Sequence, residues 1–484
     1  PFLVEAAVAA QSVASLAALS DFLDFNKEPK SLLEKFLYAA AFSPQPSGEL
    51  LHLILDKLDG KQLAPEIWET GVIAVGSLVG KLCQQKLCGL QQVVERGVET
   101  ILRGLRGAKE EPEVVIYLLS LGNAMLPETI PTLLEHAEDG PTAVTAAATS
   151  ALQRFPAPHI SSKVKRAMRR IFHQKRKSYD KTCRLAAAEI LLDNHPLPMD
   201  AINILLATSE METEMATFLL LKVQDSLRGH HHMAKKIMKD IMGDPQINNY
   251  NFFSKVGTSS SFSGPLTVTQ DLTSTFGLDL LFLEGGFLRK SVSDFSLFSH
   301  GQRLRAAQVT FEAQGMESML GENLSEGEEE PELMAGMSAT FFDVQLRPII
   351  FFQGYTDLMA KVLLSSGEPT SVVRGNLLLM DHHQVVIPLQ SGLQVTIKLQ
   401  GGLGLDISAD MDVSIWEQEL KTSVIARGSL AMDFQAELDS PFLQATLRSQ
   451  TEVETSIHFD TKLRFSSSPV LMCLQLREEQ VPYR

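Results

Sequence analysis

Cysteine and aromatic residues are scarce in this chain of 484 residues. It has 4 cysteines, 2 tryptophans and 6 tyrosines, so a dense disulfide scaffold is not what holds it together. A chain of this length buries a large core without one and suggests two to four domains. With 44% apolar and 21% charged residues, it is not a largely disordered protein.

Long apolar runs and an excess of positive charge are also missing. No segment approaches the roughly 18 charge-free apolar residues of a membrane span, and the start shows no signal peptide. The chain begins at Pro1 inside an apolar periodic segment, so we expect it to be a piece of a longer polypeptide. The formal net charge of −15 argues against a partner of the nucleic-acid class.

The two halves of the chain differ in composition and charge. Residues 1–245 have a net charge of −2 and are rich in Ala and Leu at helical spacing, whereas residues 246–484 have a net charge of −13 and alternate with period two. We therefore predict an all-helical part followed by an all-β part.

The helical part contains an internal repeat. Two Ala-rich stripes align at a spacing of 40 residues, with Ala147 matching Ala187 and Pro156 matching Pro196. Prolines at 127, 156 and 196 end three of the predicted helices. Such a period is typical of helix pairs stacked as a solenoid.

Alternation is strongest from Leu393 to Ile415, where almost all odd positions are apolar and most even positions are polar. We predict two strands there, joined by a hairpin turn at Gly401–Gly402. Similar alternation recurs from Leu430, from Val453, and at Phe276 to Phe282 before Gly285. These are long antiparallel strands with one polar and one apolar face.

The apolar face of these strands has two interpretations. No later helical pattern is available to cover it, so it packs against another sheet, the helical half or a ligand. The first possibility is a dry sandwich core, and the second is a lipid-filled space with an aliphatic lining. The strand pattern alone leaves both open.

Motifs for catalysis or metal binding are missing from the sequence. There is no Gly-x-Ser-x-Gly elbow, no His-Glu-x-x-His helix and no phosphate-binding loop, so we expect a protein that is not an enzyme and has no metal site. His230, His231 and His232 are interpreted as a solvated helix end, because consecutive helical histidines point about 100° apart.

A basic run from Lys163 to Arg184 contains a single acid, Asp180. It is either a solvated outer helix or a surface for an acidic protein or an anionic membrane. An acidic run from Glu322 to Glu332 is predicted to be a loop joining two sheets, and it contains the sequon Asn323-Leu324-Ser325, whose glycosylation stays open.

Several motifs across the chain resemble the large lipid transfer protein family, which includes vitellogenin and apolipoprotein B. The residues that carry the resemblance are Leu126–Glu128, Ala151–Arg154, Ala335–Ala339, Phe342–Pro348, Gly354–Met359, Gln390–Leu393, Gln400–Leu403 and Asp406–Ser408.

The resemblance implies an α+β multidomain fold in which an α-helical solenoid precedes two large antiparallel β-sheets that enclose a lipid cavity. The expected domains are the solenoid at 1–245, the first sheet at 246–333 and the second sheet at 334–484. The family also has an N-terminal β-barrel and continues further at the C-terminus, so we expect both parts, and the first helices, to be missing here.

The resemblance further implies the function. We expect transfer of triglyceride, cholesteryl ester and phospholipid between membranes and to nascent apolipoprotein B, in the endoplasmic reticulum lumen, with transient membrane contact. A heterodimer with protein disulfide isomerase is also implied, and the ending Val481–Arg484 has no retention tetrapeptide. The cargo lipid is the only expected ligand, with no cofactor. The alternative is a storage lipoprotein of the vitellogenin type.

If the alternating strands line a cavity, their apolar positions contact lipid. The predicted lipid-binding residues are Val395, Ile397, Leu405, Ile407, Met411, Val413, Met432 and Phe434. Phe342, Val344 and Leu346 also alternate with polar residues, and Ile349 to Phe352 follow without alternation. This segment is either an ordinary core strand buried on both faces or an apolar entry segment that touches membrane or lipid.

The cysteines and Arg154 are expected to have structural roles. We expect a Cys83–Cys88 disulfide, which a lumenal compartment permits, and free buried thiols at Cys183 and Cys473. Arg154 follows the apolar stripe of its helix, so it needs a buried partner. We expect it to cap helix carbonyls near Pro156 and to pair with an acidic group of an adjacent helix, and we expect Arg154→His to destabilise the helical part.

Overall fold

The structure is a computed structural model that describes residues 2–480 apart from several short segments. The residues not described within this range are 11, 44–45, 60–62, 85–91, 229–231, 246, 248–256, 269–272, 285, 287, 300–301, 316–332, 365–369, 389–392, 415–418, 440–443 and 465–470. The predicted acidic loop with Asn323, as well as His230 and His231, lies outside the described residues.

The N-terminal part of the chain is helical. Its helices are α1 Phe2–Ala10, α2 Val13–Phe22, α3 Lys30–Ala41, α4 Gly48–Leu58, α5 Pro65–Gln84, α6 Gln92–Gly107, α7 Glu111–Ala124, α8 Ile130–Asp139, α9 Thr142–Gln153, α10 Ser162–Phe172, α11 Lys181–Asp193, α12 Pro198–Ala207, α13 Thr213–Arg228 and α14 His232–Met242.

Strands follow, with one further helix among them. They are β1 Ser260–Val268, β2 Thr273–Phe282, β3 Leu288–Ser299, β4 Gln302–Gln314, β5 Met334–Phe341, β6 Val344–Gln345, β7 Ile349–Gln353, the helix α15 Gly354–Leu364, then β8 Thr370–Pro388, β9 Gln394–Ser414, β10 Glu419–Asp439, β11 Gln444–Arg464 and β12 Leu471–Gln480.

Helix ends follow local chemistry. Helix α11 begins at an Asp180 cap whose side chain accepts a hydrogen bond from the Thr182 amide, which satisfies one of the free amides of the first turn. Helices α7, α9 and α11 each end three residues before a proline, at 127, 156 and 196 respectively. The predicted helix ends are therefore confirmed.

Helices α7, α9, α11 and α13 pack one on the next and form a layer. Helix α8 packs on α9, and α10 packs on α8 and α11, which adds a second layer. Ala147 and Ala187, the residues matched by the 40-residue repeat, are both buried. The repeat thus corresponds to successive units of a helical solenoid, and the predicted fold class is confirmed for this part.

The first sheet is antiparallel, in the order β1-β2-β3-β4-β5-β6, and β7 pairs with β5. Strands β4 and β5 pair from Ala307 opposite Phe341 to Gln314 opposite Met334. The acidic run therefore connects two strands of one sheet. The change of sheet comes after Gln353 and not at 333/334, because charge composition carries no information about which strands pair.

The second sheet is antiparallel, in the order β12-β11-β10-β9-β8. Strand β9 runs unbroken through Gly401 and Gly402, which lie opposite Met432 and Ala431 of β10. The predicted hairpin turn there is wrong. The apolar alternation continues in phase from Leu399 to Leu403, as it does in one continuous strand and would not across a two-residue turn.

By its contacts the chain divides into two compact units. One unit combines Pro1–Ala74 with Met359–Arg484 and holds α1 to α4 and the second sheet, while the other is Val75–Leu358 and holds the solenoid from α6 to α14 and the first sheet. Among the described residues, every helix is too short or too polar to cross a membrane.

Candidate functional site

Polar side chains on one face of the first sheet contact the helical layer. Helix α13 makes the first of these contacts. Lys222 of α13 donates a hydrogen bond to the Asp279 carboxylate of β2 and lies 3.6 Å from Glu189 of α11. Burial alone would lower the pKa of Lys222, but the carboxylates of Glu189 and Asp279 raise it. The ammonium group is therefore held charged between helix and strand.

Glu214 makes a second contact between α13 and the sheet. Its carboxylate accepts hydrogen bonds from the backbone amides of Thr258 at 2.9 Å and Ser259 at 2.6 Å. Partial burial opposes ionisation, but these hydrogen bonds outweigh it and lower the pKa of Glu214. Hydrogen bonds thus attach Thr258 and Ser259, which precede β1, to helix α13 of the solenoid.

Helix α11 contacts the sheet through a buried ion pair. Arg289 of β3 is fully buried, and its Nη2 lies 2.9 Å from Oδ1 of Asp180, the residue that caps α11. Burial would raise the pKa of Asp180, but the Arg289 charge and the hydrogen bonds from Thr182 and Arg289 hold it below its usual value. The Asp180 carboxylate therefore both caps α11 and forms an ion pair with Arg289.

Arg154 joins α9 to the turn between β5 and β6. Its Nη1 donates to the side-chain oxygen of Asn123 at 2.6 Å, and its Nη2 donates to the backbone oxygen of Asp343. Asn123 in turn bonds both the amide and the carbonyl of Gln345, at 2.9 and 3.0 Å. Burial, with a contribution from Arg305, lowers the pKa of Arg154 to about 10 against the opposing effect of Asp343.

Arg154 is therefore partly buried and has hydrogen-bond partners, but they are not the predicted groups. It pairs with the neutral Asn123 and with a carbonyl of the β-turn, whereas we expected a helix carbonyl near Pro156 and an acid of an adjacent helix. The reason is tertiary: the β5–β6 turn comes within hydrogen-bonding distance of the end of α9, which sequence patterns do not show.

The opposite face of the first sheet is apolar. Residues directly opposite each other in antiparallel strands lie on the same face. Leu280, Ser291, Phe311, Met337 and Ile349 form one cross-strand row. The next rows contain Leu278, Val309 and Ala339, and then Phe276, Phe295, Ala307 and Phe341. Most of these side chains are only partly buried, and Phe262 and Ile349 are 48% and 38% exposed.

The first sheet is therefore inverted: a sheet beside a helical layer usually packs its apolar face on the helices, whereas this sheet contacts them with its polar face. Its polar face, with Ser261, Asp279 and Thr310 in one register row, is turned to the helices, and its aliphatic and aromatic face is turned away from them. A broad apolar face on the side away from the helical layer is suited to contact with an apolar ligand.

The strand predicted at Phe276 to Phe282 contributes to this face. Ala307, Val309 and Phe311 of β4 also belong to it and were not among the predicted strand positions, although they alternate with polar residues in the same period-two pattern.

The second sheet has the same division into faces. By register, Val395 pairs with Leu438 and Ile387, and Ile397 pairs with Ala436 and Val385. Leu405, Ile407, Met411, Val413, Met432 and Phe434 occupy positions on that same face. Among these predicted residues, the described side chains of Val395, Ile397 and Phe434 are half-buried. The structure thus brings these positions together, while their contact with lipid stays a prediction.

Ion pairs join neighbouring strands on the polar face of the second sheet. Lys398 lies 3.0 Å from Glu437, and Glu419 lies 2.8 Å from Lys462 and 2.7 Å from Arg464. Hydrogen bonds from Lys462 and Arg464 lower the pKa of Glu419 to about 2. Such cross-strand charge pairs are what a solvated face requires.

Ser423, His458 and Asp460 meet on this polar face without forming a catalytic relay. His458 Nε2 lies 3.0 Å from the Ser423 hydroxyl and 3.2 Å from Asp460, and the hydroxyl also donates to Asp460 at 2.9 Å. A serine triad needs the acid on Nδ1 and the serine on Nε2, whereas both groups here approach one nitrogen.

The segment Phe342 to Leu346 is not one alternating strand. Phe342 and Asp343 form a tight turn with φ values of 46° and 62°. Val344 pairs with Phe341, and both are buried, while Leu346 is half-buried. These three predicted lipid-binding residues therefore do not share one open surface. Ile349 and Ile350, by contrast, are both exposed, which does not fit a strand buried on both faces.

The structure describes the side chains of two of the four cysteines. Cys83 is disulfide-bonded and Cys183 is free and buried, with its pKa raised by that burial. Cys88 lies outside the described residues, so the Cys83–Cys88 pairing stays a prediction, and the side chain of Cys473 is likewise not described. In the described part of the chain, no cluster of three or more His, Cys, Asp or Glu side chains could hold a metal ion.

Most of the basic run is paired within the solenoid. Arg169 bonds Asp200, Arg170 bonds Glu138 with Nε 2.5 Å from Oε1, and Lys181 lies 2.6 Å from Glu212. Lys163 and Arg166 are exposed. The run is thus largely structural, with a small exposed remainder.

Comparison with known families matches both parts of the chain. A family model described as the lipid-binding domain of the MTP large subunit matches residues 235–484, and one described as the vitellogenin TPR domain matches residues 1–220. The first match ends within α13 and the second begins within α14, so the lipid-binding match includes the end of the helical region as well as the strands.

Relatives of known name match the whole chain. It is 43% identical over 485 residues to the microsomal triglyceride transfer protein large subunit of Homo sapiens, and 42% identical over 485 residues to that of Danio rerio, covering 100% of this chain and 54% of each relative. The chain thus spans about half the length of the curated relatives it matches.

A solved structure described as lipid–protein interactions in lipovitellin has the same fold. It matches with a TM-score of 0.65 over 99% of this chain and 51% of that chain, at 15% sequence identity. At this identity the likeness shows the fold alone, a helical region followed by antiparallel sheets.

Proposed function

Because the chain belongs to the family of microsomal triglyceride transfer protein large subunits, we propose that it carries neutral lipid and phospholipid on its apolar sheet faces and transfers them between membranes. The observation that carries this proposal is the inverted first sheet. Its charged and hydroxyl side chains meet the helices, and its aliphatic and aromatic side chains face away from them. Lipid is the ligand class that such a face accepts without polar partners.

The lining supports selection by bulk apolarity and not by headgroup. The rows around Leu278, Val309 and Phe311 contain aliphatic and aromatic side chains and few hydrogen-bonding groups. Triglyceride, cholesteryl ester and the acyl chains of phospholipid would all be accepted. The relatives are named for triglyceride transfer, which favours triglyceride as the main cargo and agrees with a protein that is not an enzyme.

We propose the partners and compartment on the same basis. Delivery of lipid to nascent apolipoprotein B, a heterodimer with protein disulfide isomerase and residence in the endoplasmic reticulum lumen all follow from the family resemblance. A disulfide at Cys83 is compatible with an oxidising compartment. Co-purification of the tagged chain from cells tests the heterodimer: recovery of a soluble single species without the isomerase would contradict it.

A storage role of the vitellogenin type is the second candidate, favoured by the lipovitellin-like fold. A store and a carrier both hold lipid, but only a carrier exchanges it. Movement of labelled triglyceride from donor to acceptor vesicles separates the two, since a storage protein would retain its lipid over the same period.

Two valines on neighbouring strands provide a matched test of the lipid-bearing face. Val309 of β4 lies on the apolar face, and Val292 of β3 lies on the face turned to the helices; both are partly buried. We expect Val309→Glu to stay folded and to lose most of its extractable lipid and transfer activity. Val292→Glu puts a charge against the helical layer and beside Asp279, so it should lower the unfolding temperature strongly.

The readouts are thermal unfolding, lipid mass after solvent extraction and vesicle transfer of triglyceride. A parent protein that extracts free of lipid, or a Val309→Glu variant that unfolds as Val292→Glu does, would show that the apolar face is a packed protein core.

A further inference from the structure

Two serine side chains lie in the middle of the apolar face of the first sheet. Strand β3 is an inner strand, paired with β2 on one side and with β4 on the other, and it carries Ser291 and Ser293 on the face turned away from the helices. The residues directly opposite these serines are all aliphatic or aromatic: Leu278, Leu280, Val309 and Phe311. Hydrocarbon therefore borders the two hydroxyl groups on both neighbouring strands.

Both hydroxyls are available to a ligand. Ser291 is half-buried and Ser293 is exposed, and in the part of the chain that the structure describes neither hydroxyl hydrogen-bonds to another residue. The backbone groups of β3 are already paired with β2 and β4. A hydroxyl left unpaired in an apolar environment costs free energy, and a ligand that accepts a hydrogen bond removes that cost.

Serines on the helix-facing side of this sheet have protein partners instead. The Ser261 hydroxyl donates to the Asp279 carboxylate at 2.7 Å, and the Ser263 hydroxyl donates to Asp225 of α13 at 2.5 Å. These hydroxyls join neighbouring strands or attach the sheet to the solenoid. The two serines of the apolar face make no contact of this kind among the described residues.

The proposed cargo offers a matching acceptor, the carboxylic ester. Triglyceride, cholesteryl ester and phospholipid all contain ester carbonyl groups beside their acyl chains, and an ester carbonyl accepts hydrogen bonds but donates none. A serine hydroxyl is a suitable donor. Because Ser291 and Ser293 lie two residues apart on one strand, their side chains are separated by about 7 Å, which is within the span of two esters on one glycerol.

We propose that Ser291 and Ser293 donate hydrogen bonds to ester carbonyl groups of the carried lipid and thereby select esters over ethers and hydrocarbons of the same shape. The proposal rests on the proposed function and deepens it, because an apolar lining binds by bulk apolarity and its few polar groups add specificity. It also gives the three cargo lipids a common feature, since they share the ester and not a headgroup.

The test compares trioleoylglycerol with its triether analogue, which has the same chains and no carbonyl oxygen. Partition of each labelled lipid between donor vesicles and the purified full chain is measured, followed by transfer to acceptor vesicles. We expect the parent protein to bind the triester about five- to tenfold more tightly than the triether. The pair Ser291→Val and Ser293→Val should remove most of this preference. The pair Ser291→Thr and Ser293→Thr should keep it, because Thr has the shape of Val and retains the donor.

Ser338→Val is the matched control. Ser338 of β5 lies opposite Thr310, in the row that faces the helices, and its side chain is half-buried. Removal of this hydroxyl should leave the ester preference unchanged. Since Val and Thr are both favoured in strands, the variants at Ser291 and Ser293 should unfold near the parent's temperature.

Three results would overturn the proposal: a parent that binds triester and triether equally, a Val pair that keeps the preference, or a Thr pair that loses it as the Val pair does. A parent that binds and transfers neither lipid would contradict the proposed function itself. Failure of ester recognition is therefore distinguishable from failure of lipid carriage.

Discussion

At the scale of single residues, buried polar side chains link the two kinds of secondary structure in the unit Val75–Leu358. Arg154 is the clearest case, because it bonds a helix side chain and a turn carbonyl at once. A buried guanidinium is costly to desolvate and is tolerated only where its hydrogen bonds are largely made. Removing it takes one hydrogen bond from the Asp343 carbonyl and one from the Asn123 side-chain oxygen, which still accepts from the Gln345 amide.

We therefore expect Arg154→Met to lower the free energy of unfolding by about 2–4 kcal/mol. Arg103→Met is the matched control, because Arg103 is 68% exposed and pairs with Glu99 at 3.4 Å; its effect should stay within about 0.5 kcal/mol. Urea unfolding followed by circular dichroism measures both. Similar effects of the two variants would contradict the assigned role of Arg154.

At the scale of elements, each of the helices α7, α9, α11 and α13 contributes a polar contact to the first sheet. Asn123 of α7, Arg154 at the end of α9, Asp180 at the cap of α11 and Lys222 of α13 all reach it. The sheet is thus attached to the solenoid by hydrogen bonds and charges, and its apolar face is not needed for that attachment.

A double-mutant cycle on Lys222 and Asp279 tests this attachment. Their side chains are 27% and 14% exposed, and Glu189 shares the ammonium group. We expect a coupling energy of about 1–3 kcal/mol between Lys222→Ala and Asp279→Ala in urea unfolding. The cross-strand pair Lys398 and Glu437 is more exposed, at 33% and 35%, and should couple by less than about 1 kcal/mol. Equal coupling in both pairs would mean that α13 and β2 are not joined by this contact.

At the scale of the whole molecule, both sheets present an apolar face and a polar face, and the apolar faces should depend on bound lipid. Anything that binds the native state alone stabilises it. We expect removal of lipid with a mild detergent to increase binding of the dye ANS and to lower the unfolding temperature by several degrees. Adding triglyceride back should reverse both changes. A lipid-free protein with unchanged unfolding and no dye binding would contradict lipid-dependent faces.

Much of this architecture could be predicted from local patterns. The 40-residue repeat, the helix-ending prolines and the period-two strands are short-range signals, because side-chain direction follows the helical or strand period directly. They identified the solenoid, the β part and the apolar positions of β9 and β10. The family resemblance then supplied the expectation of lipid, which alternation alone left open.

Pairing between distant segments was beyond such patterns. That Met334–Phe341 joins the first sheet, that Gly401 and Gly402 lie within one strand, and that Arg154 bonds the Asp343 carbonyl all depend on which backbone groups meet in space. The orientation of the first sheet likewise could not be predicted from local patterns. The alternation of its strands predicts one polar and one apolar face, but not which of them contacts the helices. The polar face does so because its charged side chains form ion pairs with α11 and α13, and these pairs exist only in the folded chain.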